Sequence, residues 1–295
     1  MNRIIPGFRM LAAIVAVVGL VSHLAGAADT PYEVEPRENV EYGKADGVPL
    51  LLDLYTPKEA KRPHAALVFI HGGGWSGGRK EDFRGLAAKA AAQGYVSVTI
   101  DYRLAPKYRF PAAVEDCKCA VRWLRAKADV LGVDRRRIGA VGGSAGGHLV
   151  MMLGAMNDHD GLEGTGGWSD QSSRVQAVVS YVGPTDLMAE YPDVSKSIVA
   201  RFIGGSRDKM PDAYRRASPI TYVDKSDPPM LLFQGTSDPL VPYEQAFRMA
   251  TALSQAGVPG RVEILLGEGH GFSHDEMQRT LAETMAFFDK RLAQK

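Results

Sequence analysis

The chain has 295 residues, with 35 Lys and Arg against 34 Asp and Glu and a formal net charge of +1. Such a balance provides no global field to gather nucleic acid or anionic lipid, and two cysteines cannot form the framework of a disulfide-stapled small domain. The length suits one larger α/β domain stabilised by its own core.

From the N-terminus, Arg3 and Arg9 precede an apolar stretch from Met10 to Val21, and Ala25-Gly26-Ala27 places small residues at a cleavage position. The pattern predicts a signal peptide over 1–27, a single domain over 28–295, and a periplasmic or secreted location. An uncleaved anchor is the alternative, although the apolar run is short for a membrane span. Leu50 to Tyr55 alternates as an early strand. Ala65 to Ile70 is an apolar run that reads as a buried strand, and it delivers the chain into His71-Gly72-Gly73-Gly74-Trp75. Lys80 to Gln93 is an Ala-rich helix ended by Gly94, and Tyr95 to Ile100 is a further buried strand. Pro111 to Val130 reads as one long helix with Pro at its start. On it, Cys117 shares a face with Val114, Val121 and Leu124 and should be buried, while Cys119 falls opposite and should be partly exposed.

Arg137 to Val141 is the next strand, and Ala145 to Met156 the next helix. Between them stands Gly142-Gly143-Ser144-Ala145-Gly146-Gly147. Glycines two residues to either side of Ser144 let a strand and a helix come close at a sharp turn, which lifts the hydroxyl above the sheet. The run has neither the Lys of a phosphate-binding loop nor the spacing of a dinucleotide fingerprint. Val175 to Val182 is a strand. Asp186 to Tyr222 interrupts the alternation and reads as a small helical cap (about 186–222). Met230 to Phe233 leads to Asp238 in Gly235-Thr236-Ser237-Asp238-Pro239, and Val262 to Leu266 leads to His270 in Gly269-His270-Gly271-Phe272. Helices over Tyr243 to Gln255 and His274 to Leu292 complete the chain. The alternation predicts an α/β fold, a mostly parallel central sheet with helices on both faces.

Ser144, Asp238 and His270 thus each follow a strand, in an order suited to a nucleophile, an orienting acid and a base. The bare amides of Gly73, Gly74 and Ala145 are the candidate oxyanion donors. Asp186, after the Val175–Val182 strand, is the competing acid. His274 reads as the start of the last helix, His148 as a packing or hydrogen-bonding residue one turn beyond Ser144, and His71 as a brace for the glycine loop. Trp75 and Trp168 could contact a sugar or aryl group but read first as core. Asn157-Asp158-His159-Asp160-Gly161 lacks the downstream Glu of a calcium loop, so no metal and no cofactor are expected.

Together with Asp101-Tyr102-Arg103-Leu104-Ala105-Pro106, these motifs resemble an α/β-hydrolase of the carboxylesterase kind, close to the hormone-sensitive-lipase-like and feruloyl/acetyl-xylan esterase-like families. The likeness covers about residues 40 to 290. Gly143 stands where the hormone-sensitive-lipase-like group usually carries Asp, and Gly-Gly-Ser-Ala-Gly-Gly-His is more similar to xylan-debranching esterases. The resemblance implies a serine carboxylic-ester hydrolase for short acyl esters of small molecules or plant polysaccharide, with no nucleic-acid partner and no stable membrane span. Two alternatives belong to other classes. A prolyl-oligopeptidase-like peptidase would usually bring a propeller for which the chain has no room. An inactive binding relative would be expected to lose a triad or oxyanion residue.

Overall fold

Strands dominated by apolar and β-branched residues are covered on both faces inside a sheet flanked by helices, and four such strands here are buried throughout. The computed structural model describes residues 32–58 and 63–294, so the expected signal peptide lies outside the described residues. Eight strands appear among the described residues: β1 (Val34–Ala45), β2 (Val48–Pro57), β3 (His64–Ile70), β4 (Val96–Ile100), β5 (Val133–Gly143), β6 (Ala177–Tyr181), β7 (Met230–Gly235) and β8 (Gly260–Leu265). They form one sheet in the order β1-β2-β4-β3-β5-β6-β7-β8. β2 runs antiparallel to β1 and β4, and every pairing from β4 to β8 is parallel. Strands β3, β4, β6 and β7 are the four buried along their full length.

The helices are α1 (Arg84–Ala92), α2 (Ala112–Ala126), α3 (Ala128–Leu131), α4 (Ala145–Ala155), α5 (Asp193–Ile203), α6 (Pro211–Arg216), α7 (Glu244–Ala256) and α8 (His274–Arg291). The cluster around α2, α4 and α7 covers one face of the sheet, and α1 and α8 cover the other. Between β6 and β7 the chain makes a small helical insertion of α5, α6 and a 3-10 turn over Pro219–Tyr222.

Three local expectations change. The long helix is split at Lys127 into α2 and α3, and α3 ends at Gly132 in the left-handed region (φ 67°). The helix expected from Lys80 opens instead as a 3-10 turn over Lys80–Phe83. There Lys80 is drawn into the interior, where its Nζ lies 3.0 Å from Asp53 Oδ1 and its N–H donates to Asp101 Oδ1 at 2.8 Å. Cys119 is fully buried rather than partly exposed, because β1 covers the outer side of α2 and Cys119 Sγ lies 3.8 Å from the Tyr42 carbonyl oxygen. Cys117 is buried as expected, and both thiols are free.

The turn from β5 into α4 depends on missing side chains. A β-carbon on Gly142 would stand 2.5 Å from the Gly146 carbonyl, and one on Gly146 would overlap the Ile70 and His71 carbonyl oxygens. Overpacking of this kind costs about 1–3 kcal/mol, so Gly146→Ala should lower the thermal midpoint by several degrees. Gly85, in α1, faces open space, and Gly85→Ala should be neutral or stabilising by about 0.5–1 kcal/mol. Thermal melts of the two variants check the contrast; equal midpoints would contradict it.

Candidate active site

Ser144 sits between the end of β5 and α4 with φ 56° and ψ −119°, a backbone region that side chains rarely adopt. Its N–H donates to Tyr181 O at 2.8 Å, and its carbonyl accepts the His148 N–H at 2.9 Å, so β6 and the first turn of α4 both fix the turn. His270 and Asp238 arrive on loops after β8 and β7. Those loops are tied together: Thr236 N–H donates to Leu265 O at 3.0 Å, Ser237 N–H to Glu268 O at 2.9 Å, and Gly267 N–H to Thr236 Oγ1 at 2.8 Å. Glu268 in turn accepts the Ser273 N–H at 2.6 Å and its hydroxyl at 2.7 Å, fixing the loop to the start of α8.

The result is a continuous chain of hydrogen bonds. His270 Nε2 lies 2.8 Å from Ser144 Oγ, and His270 Nδ1 lies 2.8 Å from Asp238 Oδ2. With a carboxylate on Nδ1, that nitrogen carries the proton and Nε2 accepts from the serine hydroxyl. The Asp238 side chain is fully buried, while His270 keeps 22% of its side chain exposed. Asp238 also accepts from Gln234 Nε2 at 3.1 Å and from the Leu240 and Val241 amides at 2.8 and 2.9 Å. Burial pushes the Asp238 pKa up, but the bonds from His270, Val241 and Leu240 outweigh it and hold the carboxyl below its ordinary range. Those bonds therefore stabilise the fold above the unfolded carboxyl pKa, and their contribution is lost as pH falls through the lowered folded value.

Asp186, the competing acid, accepts from the Met188 N–H at 3.0 Å and pairs with Arg248 at 3.3 Å, and it does not join this chain. His274 is the first residue of α8, as its sequence context suggests. Gly73, Gly74 and Ala145 line one cavity of about 610 Å³ together with Ser144 and His270. Gly73 (φ 103°) and Gly74 (φ 57°) both use the left-handed region, which bends the loop after β3 toward Ser144.

That loop is held from both ends. His71 Nδ1 lies 2.8 Å from Gly72 O, and its ring stacks on Tyr102 with centroids 4.3 Å apart. At the other end, Trp75 Nε1–H donates to His148 Nδ1 at 3.2 Å, and His148 Nε2–H donates to Ala217 O at 2.7 Å. Burial lowers the His148 pKa to about 4, so it stays neutral and keeps one tautomer. Trp75 also stacks on Phe202 of α5 at 4.4 Å. The sequence marked Trp75 as core and His148 as a hydrogen-bonding residue. It carried no sign that the two meet, nor that Gln234 supports the acid. Arg201 is the one residue among the insertion's charged side chains that lines the cavity. Others pair with one another, as in Arg207–Glu190 at 2.6 Å and Arg215–Asp212 at 2.7 Å. Among the described residues, no group of three or more His, Cys, Asp or Glu could hold a metal ion, and no helix is long and apolar enough to cross a membrane.

Known proteins resemble this chain in fold and sequence. Esterase LipC of Mycobacterium tuberculosis is 37% identical over 268 residues, which cover 85% of this chain and 64% of LipC. The chain spans between half and two-thirds of the length of LipC and two further mycobacterial relatives. Among solved structures, a truncated form of a carbohydrate esterase from gut microbiota superposes with a TM-score of 0.79 at 27% identity, covering 90% of this chain and 99% of that one. Esterase Est2 of Thermogutta terrifontis, in a propionate-bound form, gives a TM-score of 0.72 at 30% identity, covering 90% and 97%. The sequence profile of the BD-FAE family matches residues 52–253. On a match over most of its length and on its α/β-hydrolase topology, the chain belongs to the BD-FAE family.

Proposed function

We propose that the protein is a serine carboxylic-ester hydrolase in which Ser144 is the nucleophile, His270 the general base and acid, and Asp238 the residue that orients His270. The observation that carries this reading is the unbroken Ser144–His270–Asp238 hydrogen-bond chain, with both links at 2.8 Å. His270 Nε2 takes the Ser144 proton as Oγ attacks the ester carbonyl. The carbonyl oxygen gains the negative charge and is held by the Gly73, Gly74 and Ala145 amides. His270 returns the proton to the departing alcohol oxygen, leaving the acyl group on Oγ. Water, deprotonated by His270, then attacks the acyl-enzyme, and the proton returns to Oγ as the carboxylic acid leaves.

Short acyl groups, acetyl to about butyryl, fit best within this reading. Est2, which shares the fold at 30% identity, is described in a propionate-bound form. The description of the gut protein as a carbohydrate esterase favours a second reading, in which the alcohol is a saccharide of plant polysaccharide. The basic start and apolar stretch of residues 1–27 support export, so we place the mature enzyme in the periplasm or outside the cell.

Ser144→Ala should lower turnover on an aryl acetate on the order of a millionfold without changing the circular dichroism spectrum. Asp238→Asn should lower it about ten-thousandfold by favouring the wrong His270 tautomer, and Asp186→Asn far less. Steady-state kinetics of the three variants decide; substantial activity in Ser144→Ala, or the reverse ranking of the aspartates, contradicts the assignment. In an acyl series, acetyl and butyryl esters should be cleaved faster than decanoyl esters. A preference for the long chain would refute the acyl assignment, and acetate release from acetylated xylan separates the saccharide reading from a small-ester one.

A further inference from the structure

A second cavity, of about 740 Å³, also reaches Ser144 and His270, but different elements wall it. Phe69, Val141 and Tyr181, from strands β3, β5 and β6, contribute to its floor. Phe83 lies on one side, just ahead of α1, and Leu281 and Met285 of α8 lie on the other. These side chains are apolar or aromatic. The phenol of Tyr181 is already committed, since its oxygen lies 2.7 Å from Thr284 Oγ1. Gly73, Gly74 and Ala145 line the first cavity and not this one.

An ester has two halves, and one reacting pair here faces two chambers. The carbonyl oxygen has to face the amides of the first cavity. The oxygen of the departing alcohol has to come within hydrogen-bond reach of His270 Nε2 to receive its proton. The second chamber contains His270 without those amides, and α8, which forms one of its walls, begins four residues after His270. Resting on the ester-hydrolase reading above, we propose that the chamber between α1 and α8 holds the alcohol half of the ester, and that this half is an apolar alkyl or aryl group.

Burial of an apolar group against Phe69, Val141, Phe83 and Leu281 is favourable over the whole contact area. The polar residues that also line the chamber, Lys89, Gln93, Gln278 and Asp289, are solvent-exposed, so a saccharide set against the buried strand residues would lose water from its hydroxyls without polar groups there to replace it. The chamber thus favours a small-ester substrate with an apolar alcohol over a polysaccharide bound on that side.

The test compares kcat/KM for hexyl acetate, its isomer methyl heptanoate and the small reference ethyl acetate, followed by acid release in a pH-stat. Leu281→Trp narrows the chamber and Phe83→Ala widens it. The hexyl acetate to ethyl acetate ratio should fall about tenfold or more in Leu281→Trp and rise in Phe83→Ala. The methyl heptanoate to ethyl acetate ratio should move far less. Circular dichroism checks each fold, and if one variant does not fold the other still decides. Ratios unmoved in the folded variants overturn the proposal, as does movement confined to methyl heptanoate, which would place the acyl half in this chamber. Absence of hydrolysis of all three esters by folded wild type overturns the ester-hydrolase reading itself; cleavage of ethyl acetate with unmoved ratios overturns only the chamber assignment.

Discussion

Ser144 holds a positive φ of 56° on a residue that carries a side chain, a conformation that costs on the order of 1–3 kcal/mol and persists only where the surroundings enforce it. Here the enforcement comes from both sides of the turn. Parallel pairing of β5 with β3 and β6 fixes the approach. The Tyr181 carbonyl takes the Ser144 amide, and Gly142 and Gly146 let β5 and α4 close together where any β-carbon would collide. Because the strain is confined to one residue between two rigid elements, the hydroxyl is aimed before any ligand arrives. Everything else in the site is arranged around that fixed atom.

The partners of Ser144 are fixed by other means. The Asp238 carboxylate is buried and accepts four hydrogen bonds, from His270, Gln234, Leu240 and Val241. A buried charge is tolerated only while it is fully bonded, and the bonds from Leu240 and Val241 therefore hold the loop after β7 in shape without a helix or strand of its own. The glycine loop after β3 is anchored differently, by aromatic contacts. His71 lies on Tyr102 at one end, and Trp75 bonds to His148 and stacks on Phe202 at the other. Through Phe202 the loop is in contact with α5, so the insertion that walls one side of the first cavity also supports the amides that line it.

Much of this was legible in the sequence, for a physical reason. Buried parallel strands are dominated by apolar and β-branched residues, so Ala65–Ile70, Tyr95–Ile100 and Met230–Phe233 stand out, and the functional residues follow strand ends where loops are free to carry them. β1 was not legible. It is an edge strand with Glu35, Arg37 and Glu38 exposed, a composition that blunts edges and hides their periodicity. The burial of Cys119 is hidden for the same reason, since the strand that covers it leaves no apolar pattern. Lys80 was also unreadable as an interior residue, because its burial depends on Asp53 and Glu81 meeting it there. The link between Trp75 and His148 spans 73 residues, and the chamber between α1 and α8 depends on how far apart two helices settle on the sheet. Neither leaves a local pattern.

Covalent trapping tests most directly whether Ser144 is the activated nucleophile. The protein would be incubated with paraoxon, its intact mass measured, and the modified peptide sequenced by tandem mass spectrometry. A single diethylphosphoryl adduct is expected, located on Ser144 and formed in step with loss of esterase activity. An adduct elsewhere, or full loss of activity with Ser144 unmodified, would contradict that assignment.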